Sequence, residues 1–344
     1  MGIGNFIMFL PFIKGVKKSF INSDITLLVN DKNIFTQILN SIDPEIQLNF
    51  LSISINTSNN KLKKLFSGFK LLGNNWDIIF CKFGSFRIEL IPLMLFGFIP
   101  KKIGHIFPKD KSFNNEIMKF FLNYKVEMNF DIHERENYFN LLKKVNINSN
   151  LEDIKFKFMN NFKNNTLIKN DYILISPGSS ISQSWKRLNS YQWIEIINLF
   201  INRDIKVIII SSNDDQALIK KLEFASSKLR FKENINFLFN PSFAEIINLI
   251  KYSKMCFCAD TYLFHISFLL KKKTCVFLSA TKDSRTCYFN KNFLYLRSPY
   301  CNGSCVDYNV GIRILNSSCN PSKCMSDISI KINKNKILDF YFGK

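Results

Sequence analysis

Negative charge is scarce in this chain relative to positive. Against 47 Lys and Arg stand only 27 Asp and Glu, a formal net charge of +20 over 344 residues. Biased codon use would enrich Lys but also Glu, so the excess says something about partners. It favours polyanions such as nucleic acid, an anionic membrane face or a phosphorylated glycolipid, beside the plain reading of a solubilising cationic surface. Lys61, Lys63, Lys64, Lys101, Lys102 and Lys271 to Lys273 are scattered without the aromatic interleaving of a single-strand binding platform, which argues against nucleic acid. Long apolar runs are also lacking: Leu90 to Ile99 has ten residues with Pro92 and Gly97 inside it, where a spanning helix needs about 20. That run is expected as a buried helix. The first residues lack the basic and then apolar layout of a secretory leader, and nine Cys in so long a chain point to a reducing cytoplasm with thiols free or metal-bound.

What is present is a globular composition, 47% hydrophobic, with 36 Phe that biased codon use explains as readily as function does. Strand-like apolar runs alternate with helix-period segments in both halves, which predicts an α/β protein with parallel sheets. The strands are expected at Ile25–Val29, Asp77–Cys81 and Ile103–Phe107, then at Tyr172–Ser176, Lys206–Ser211, Ile235–Phe239, Met255–Ala259 and Thr274–Leu278. Residues 146–170 are polar and weakly patterned, which places a domain boundary there. The expected domains are 1–160 and 161–330, followed by a C-terminal helix or tail at 331–344.

Ligands of such sheets bind beyond the carboxyl ends of the strands. After the run ending at Ser176 comes Pro177-Gly178-Ser179-Ser180, then Trp185-Lys186-Arg187-Leu188 and the helical pattern Trp193, Ile196, Ile197, Phe200. Backbone N–H groups of a small-residue loop, the positive end of a helix and the mobile charge of Lys186 suit a phosphate. A loop that merely links strand to helix is the plain alternative. A second junction, Asp260-Thr261-Tyr262-Leu263-Phe264-His265, follows the run ending at Ala259. Asp260 or Thr261 would cap the next helix or contact ribose and phosphate, while His265 lines the site or simply packs one turn later. Both junctions would converge on one anion.

Near the end, Cys301, Cys305, Cys319 and Cys324 fall into two close pairs. Four thiolates so spaced can bind structural Zn or Fe and pin a long loop; free buried cysteines or a disulfide are the alternatives. Cys81, Cys256, Cys258 and Cys275 lie in strand patterns and are expected in the core.

These residues resemble glycosyltransferase family 9, the ADP-heptose:lipopolysaccharide heptosyltransferases and their relatives. The family's Pro-Gly-small loop, Lys-Arg-Trp-Pro and Asp-Thr or Asp-Ser followed by His read here as Pro177 to Ser180, Lys186 to Asn189 and Asp260-Thr261 with His265. In the first half, Gly2-Ile3-Gly4-Asn5 with Pro11 resembles its Gly-x-Gly-Asp and Pro element. Trp76 to Ile79, Lys102-Ile103-Gly104 and His133 to Ile147 resemble its later markers. Together the resemblance spans Gly2 to about Ile330.

The resemblance implies a GT-B architecture, two Rossmann-like domains with parallel sheets facing a central cleft. The acceptor would sit mainly on the first domain and the nucleotide-sugar, with ADP-heptose as a candidate, on the second. It implies inversion at the anomeric carbon and no cofactor in catalysis. Lys186, Ser179, Ser180 and Thr261 would hold the diphosphate, Asp260 and His265 would shape the pocket, and Asp214 or Asp215 would meet the ribose or cap a helix. The acceptor would be a glycolipid or glycan at the anionic inner face of a membrane, the protein cytoplasmic and peripheral, with no nucleic acid partner. Three departures stand out. Asn5 occupies the position of the family's catalytic base and cannot take a proton, which leaves Asp77 or Glu89 as bases, an Asn5 that only orients the acceptor, or a degenerate, sugar-nucleotide-binding protein of low or no activity as the alternatives. Tyr262 replaces a small residue. The sequence also opens on the glycine loop, without the strand expected before it.

Overall fold

The computed structural model describes residues 2–29, 31–52, 61–82, 88–107, 110–147, 149–159, 171–301, 306–307, 313–314 and 320–343. The chain divides into two compact units, Met1–Lys157 with Asp307–Arg313, and Phe158–Val306 with Ile314–Lys344.

In the first unit, α1 (Ile3–Ser19), α2 (Lys32–Ile42), α3 (Lys61–Ser67), α4 (Ile91–Phe96), α5 (Phe113–Phe121) and α6 (Glu134–Lys143) alternate with strands. The strands are β1 (Thr26–Val29), β2 (Asn49–Ser52), β3 (Ile78–Cys81), β4 (Lys101–Ile106) and β5 (Tyr124–Glu127). They form two parallel sheets, β1-β2 and β3-β4-β5. Helix α1 buries Phe6 to Ile13 and Val16, and its Phe9 meets Tyr138 of α6 edge to face at 5.0 Å. β1 and β3 both border a cavity of about 1080 Å³ walled by α1.

The second unit is built on β6 (Tyr172–Ser176), β7 (Lys206–Ser211), β8 (Ile235–Phe239), β9 (Met255–Ala259), β10 (Thr274–Leu278) and β11 (Phe293–Arg297). Its helices are α7 (Ser190–Ile201), α8 (Gln216–Ser226), α9 (Phe243–Tyr252), α10 (Tyr262–Leu269) and α11 (Asp283–Thr286). After the short pair β12 (Val306–Asp307) and β13 (Arg313–Ile314) come α12 (Pro321–Ser326) and α13 (Ile330–Phe342). All six main strands run parallel in the order β11-β10-β9-β6-β7-β8. β6, β9 and β10 are buried along their whole length, as continuous apolar runs covered by helices on both faces should be. Trp193 of α7 packs edge-on against Phe277 at 5.4 Å, and Phe200 touches both Phe257 and Tyr341. The C-terminal helix α13 thus belongs to the core of this unit.

The run Leu90 to Ile99 departs from its expectation as a buried helix. Helix stops at Phe96; Pro92, Leu93 and Met94 are buried, whereas Leu95, Phe96 and Phe98 are exposed. With a Pro at the helix start and Gly97 at its end, the segment is too short to bury more than one face. Cys81, Cys256, Cys258 and Cys275 are buried in strands, and burial pushes the Cys81 thiol up to about 12 and Cys256 to about 11. They are neutral core groups.

Candidate functional site

In the second unit the strand order reverses between β6 and β9, because the chain builds outward from β6 to β7 and β8 and then crosses back. At such a switch point the two adjacent strand-to-helix connections diverge and open a crevice at the carboxyl ends. Ser176 of β6 pairs in register with Cys258 of β9, so the loops beginning at Pro177 and at Asp260 leave the sheet side by side.

These two loops are joined by an ion pair. Lys186 Nζ lies 2.9 Å from Asp260 Oδ2 and donates to the Asp260 carbonyl at 3.1 Å. Thr281, on the loop after β10, donates to Asp260 Oδ2 at 3.0 Å, and His265 Nε2 is 3.8 Å from Asp260 Oδ1. Burial opposes ionisation of Asp260. The Lys186 ammonium, then His265 and the two hydrogen bonds, outweigh it and hold the carboxyl at about 2. Asp260 therefore stays anionic at neutral pH and fixes the lysine. His265 is oriented in turn by Tyr288, whose hydroxyl is 2.9 Å from Nδ1. Thr261, at the N-cap of α10, makes no cap hydrogen bond, and its Oγ1 is buried without a partner. A buried hydroxyl left unpaired costs about 1–3 kcal/mol, which an acceptor on a ligand would relieve. The ring of Tyr262 turns toward Phe243 of α9, 5.7 Å between centroids.

The loop from Pro177 to Arg187 has its own anchor. Arg187 donates to the Ser179 carbonyl, to Ser179 Oγ at 3.2 Å and to the Asp214 carbonyl at 3.2 Å, and pairs with Asp215 at 2.9 Å. Asp215 Oδ2 also accepts from the Ser212 hydroxyl at 2.8 Å. Its carboxylate is thereby committed to holding the loop, and no ribose role is needed to explain it. Ser179 Oγ donates to the Gln183 carbonyl at 2.8 Å, and the exposed Ser180 meets Ser182 at 3.3 Å. Asn189, where the family pattern has Pro, closes a capping box with Gln192 at the start of α7.

The structure thus brings together Lys186, Asp260, Thr261 and His265, with Ser179 and Ser180 on the loop that leads to Lys186. Sequence reasoning missed Thr281, Tyr288 and the Arg187–Asp215 anchor. It also missed Arg297, which donates to the carbonyls of Ser279 and Thr281 and pairs with Asp283, shaping the loop that carries Thr281. Asn5 is exposed in the first turn of α1, a turn without an acidic residue. Asp77 is exposed and Glu89 is buried.

Of the four late cysteines, Cys305 and Cys319 lie outside the described residues. Cys301 is buried with its Sγ 3.6 Å from Arg297, and Cys324 is half-buried in α12. Among the described residues no cluster of three or more metal-ligating side chains occurs, and no helix is long and apolar enough to cross a membrane.

A Rossmann-type sheet with an ion pair and an unpartnered buried hydroxyl at its switch point is an arrangement that can receive a phosphate. The family follows from comparison with known proteins. Residues 67–310 match the model of glycosyltransferase family 9 (heptosyltransferase), well over half of the chain, so the chain belongs to that family. No curated protein sequence matches it.

Solved structures share its α/β, parallel-sheet GT-B fold. The family 9 glycosyltransferase from Veillonella parvula aligns with TM-score 0.69 and 11% identity, over 100% of this chain and 96% of that one. E. coli heptosyltransferase WaaC, solved with ADP, aligns with TM-score 0.67 and 14% identity, over 99% and 97%. The iron-containing dodecameric glycosyltransferase TibC from enterotoxigenic E. coli aligns with TM-score 0.58 and 10% identity, over 100% and 74%. The family supports glycosyl transfer from a nucleotide sugar.

Proposed function

We propose that this chain is an inverting glycosyltransferase that moves a sugar, heptose foremost, from a nucleoside diphosphate donor to a lipopolysaccharide-type or other cell-surface glycan. The observation that carries the donor site is the Lys186–Asp260 pair at the switch point, with the unpartnered Thr261 hydroxyl beside it. In this reading Lys186, Thr261, Ser179 and Ser180 take the diphosphate, while Asp260 and His265 shape the pocket. As the bond from sugar to phosphate breaks, negative charge grows on the leaving diphosphate. A cation already oriented and largely shielded from water stabilises that charge without reorganising. No metal or cofactor is needed for this step. Asp260, ionised down to about pH 2, is a counter-ion for Lys186 and too weak a base to deprotonate an acceptor hydroxyl.

The acceptor would be a glycolipid on the anionic inner face of a membrane, the protein cytoplasmic and peripheral. Supporting this, Phe66, Phe69 and Phe96 stack in an exposed row with centroids 6.1 and 6.0 Å apart, among Lys63, Lys64, Lys70 and Lys101. Aromatic rings beside lysines suit an anionic interface. A structural Zn or Fe at Cys301, Cys305, Cys319 and Cys324 belongs to the same proposal.

Titration calorimetry with ADP-, UDP- and GDP-sugars tests the donor site, with Lys186→Ala as the comparison. Binding unchanged in that variant defeats the assignment. The second reading, a sugar-nucleotide-binding protein without catalysis, is favoured by one observation: Asn5 at the position of the family's base.

A further inference from the structure

Four strand-to-helix connections of the second unit are linked to one another in a closed ring. In the loop after β6, Gly178 is packed against the Asp215 carboxylate of the loop after β7, and Arg187 pairs with that carboxylate at 2.9 Å. The loop after β7 is tied in turn to the one after β8. Asn240 donates its backbone N–H to the Ser211 carbonyl and its side-chain amide to Asn213 Oδ1, both at 2.9 Å. Phe243, which opens α9, then meets Tyr262, which opens α10 after β9, with centroids 5.7 Å apart and ring planes at 57°. The Lys186–Asp260 pair closes the ring by returning from the loop after β9 to the loop after β6.

This ring has two chemically different sides. One holds Lys186, Asp260 and the unpartnered Thr261 hydroxyl, and is polar. The other is aromatic: Phe243 and Tyr262 are the first residues of neighbouring helices, and each is only half-buried, so part of each ring stays open to solvent. Phe239, the last residue of β8, adds an exposed ring at the same end of the sheet. Burial and, after it, the nearby Asp215 carboxylate push the Tyr262 phenol up, so the ring stays neutral. A diphosphate held on the polar side carries a nucleoside on one of its phosphates. The base of that nucleoside is flat, and an aromatic side chain stacks on it whatever its hydrogen-bonding edge. Thr261 and Tyr262 are consecutive, so the group next along from a phosphate at Thr261 meets the Tyr262 ring.

We propose that Tyr262, backed by Phe243, is the shelf on which the donor's nucleobase stacks, so that the nucleoside runs from Lys186 and Thr261 across the ring of loops toward α9. Tyr262 is large where the family pattern is small, which makes the shelf a feature of this chain. The inference rests on the reading of Lys186 and Thr261 as the donor diphosphate site.

Titration calorimetry with ADP, UDP and inorganic pyrophosphate tests the shelf and the diphosphate site separately. Tyr262→Leu keeps an apolar side chain but loses the ring, and should bind ADP roughly tenfold more weakly while pyrophosphate binding is unchanged. UDP should lose less, since a pyrimidine covers less of the ring. Tyr262→Phe should bind all three like the native protein, and Phe243→Leu should show a smaller loss confined to the nucleotides. Equal loss of ADP and pyrophosphate in Tyr262→Leu, or no loss of either, would overturn the proposal. So would tighter ADP binding by Tyr262→Gly, which would make the ring an obstruction. Lys186→Ala, by contrast, should weaken ADP and pyrophosphate together. If that variant binds both as before, or the native protein binds neither, the diphosphate site itself fails and the shelf with it.

Discussion

The carboxylate of Asp215 occupies the space that any side chain at residue 178 would need: a β-carbon on Gly178 would fall 2.1 Å from its Cγ and from both of its oxygens. Gly178 is required here by contact and not by an unusual backbone angle. Gly178→Ala must displace Asp215 and with it the Arg187 anchor of the loop that leads to Lys186. The expected result is a protein that folds, melts lower by the equivalent of about 2 kcal/mol, and binds donor at least tenfold more weakly in calorimetry.

Lys186→Ala leaves Asp260 buried with only Thr281 and His265 for company. Loss of one partner of a buried pair is strongly destabilising, about 3 kcal/mol. The double variant Lys186→Met with Asp260→Leu removes both charges and should recover most of that stability in urea melts while still failing to bind donor. A double variant that binds donor like the native protein would remove Lys186 from the site.

Two groups make acid denaturation stepwise. In β4, burial and, more weakly, Lys82 lower His105 to about 4 against the raising effect of its hydrogen bond to the Asn137 carbonyl. Its proton is taken up near 6.5 when unfolded, so its contribution, on the order of 3 kcal/mol, is complete above pH 6.5 and lost as the pH falls toward 4. Asp260 contributes above its ordinary 3.8, and on the order of 2 kcal/mol is lost only as the pH falls from there toward 2. Hydrogen exchange at pH 7, 5 and 3 should show β4 and α6 losing protection by pH 5, while β9 keeps its own until below pH 4.

Asn5→Asp places a carboxylate in the first turn of α1, where an anion also suits the helix dipole. Transfer from a donor sugar to a glycolipid acceptor should rise by at least tenfold in the variant. Equal transfer by both proteins would assign the base elsewhere, with Asp77→Asn and Glu89→Gln as the next comparison.

Five strands of the second unit were legible residue for residue, because Tyr172–Ser176 and its neighbours are mostly apolar runs between helical patterns. β11 was not: Phe293–Arg297 lies at the edge of the sheet, is only partly buried at Tyr295 and Arg297, and ends in a charge. β5, with Lys125 and Glu127 pointing outward, hid for the same reason. At the site, Lys186 and Asp260 announced themselves by position after their strands. Thr281 and Arg297 carry no local signal; only the neighbouring strands β9, β10 and β11 bring them to Asp260 and to each other.

Gln192, in the first turn of α7, donates to the carbonyls of Met325 and Ile328 at 2.8 Å each, and Phe200 in the last turn packs on Tyr341. The last two dozen residues therefore splint the helix that begins just beyond Lys186 and Arg187. A protease nick between α12 and α13 should register as a fall in nucleotide affinity before the second unit unfolds.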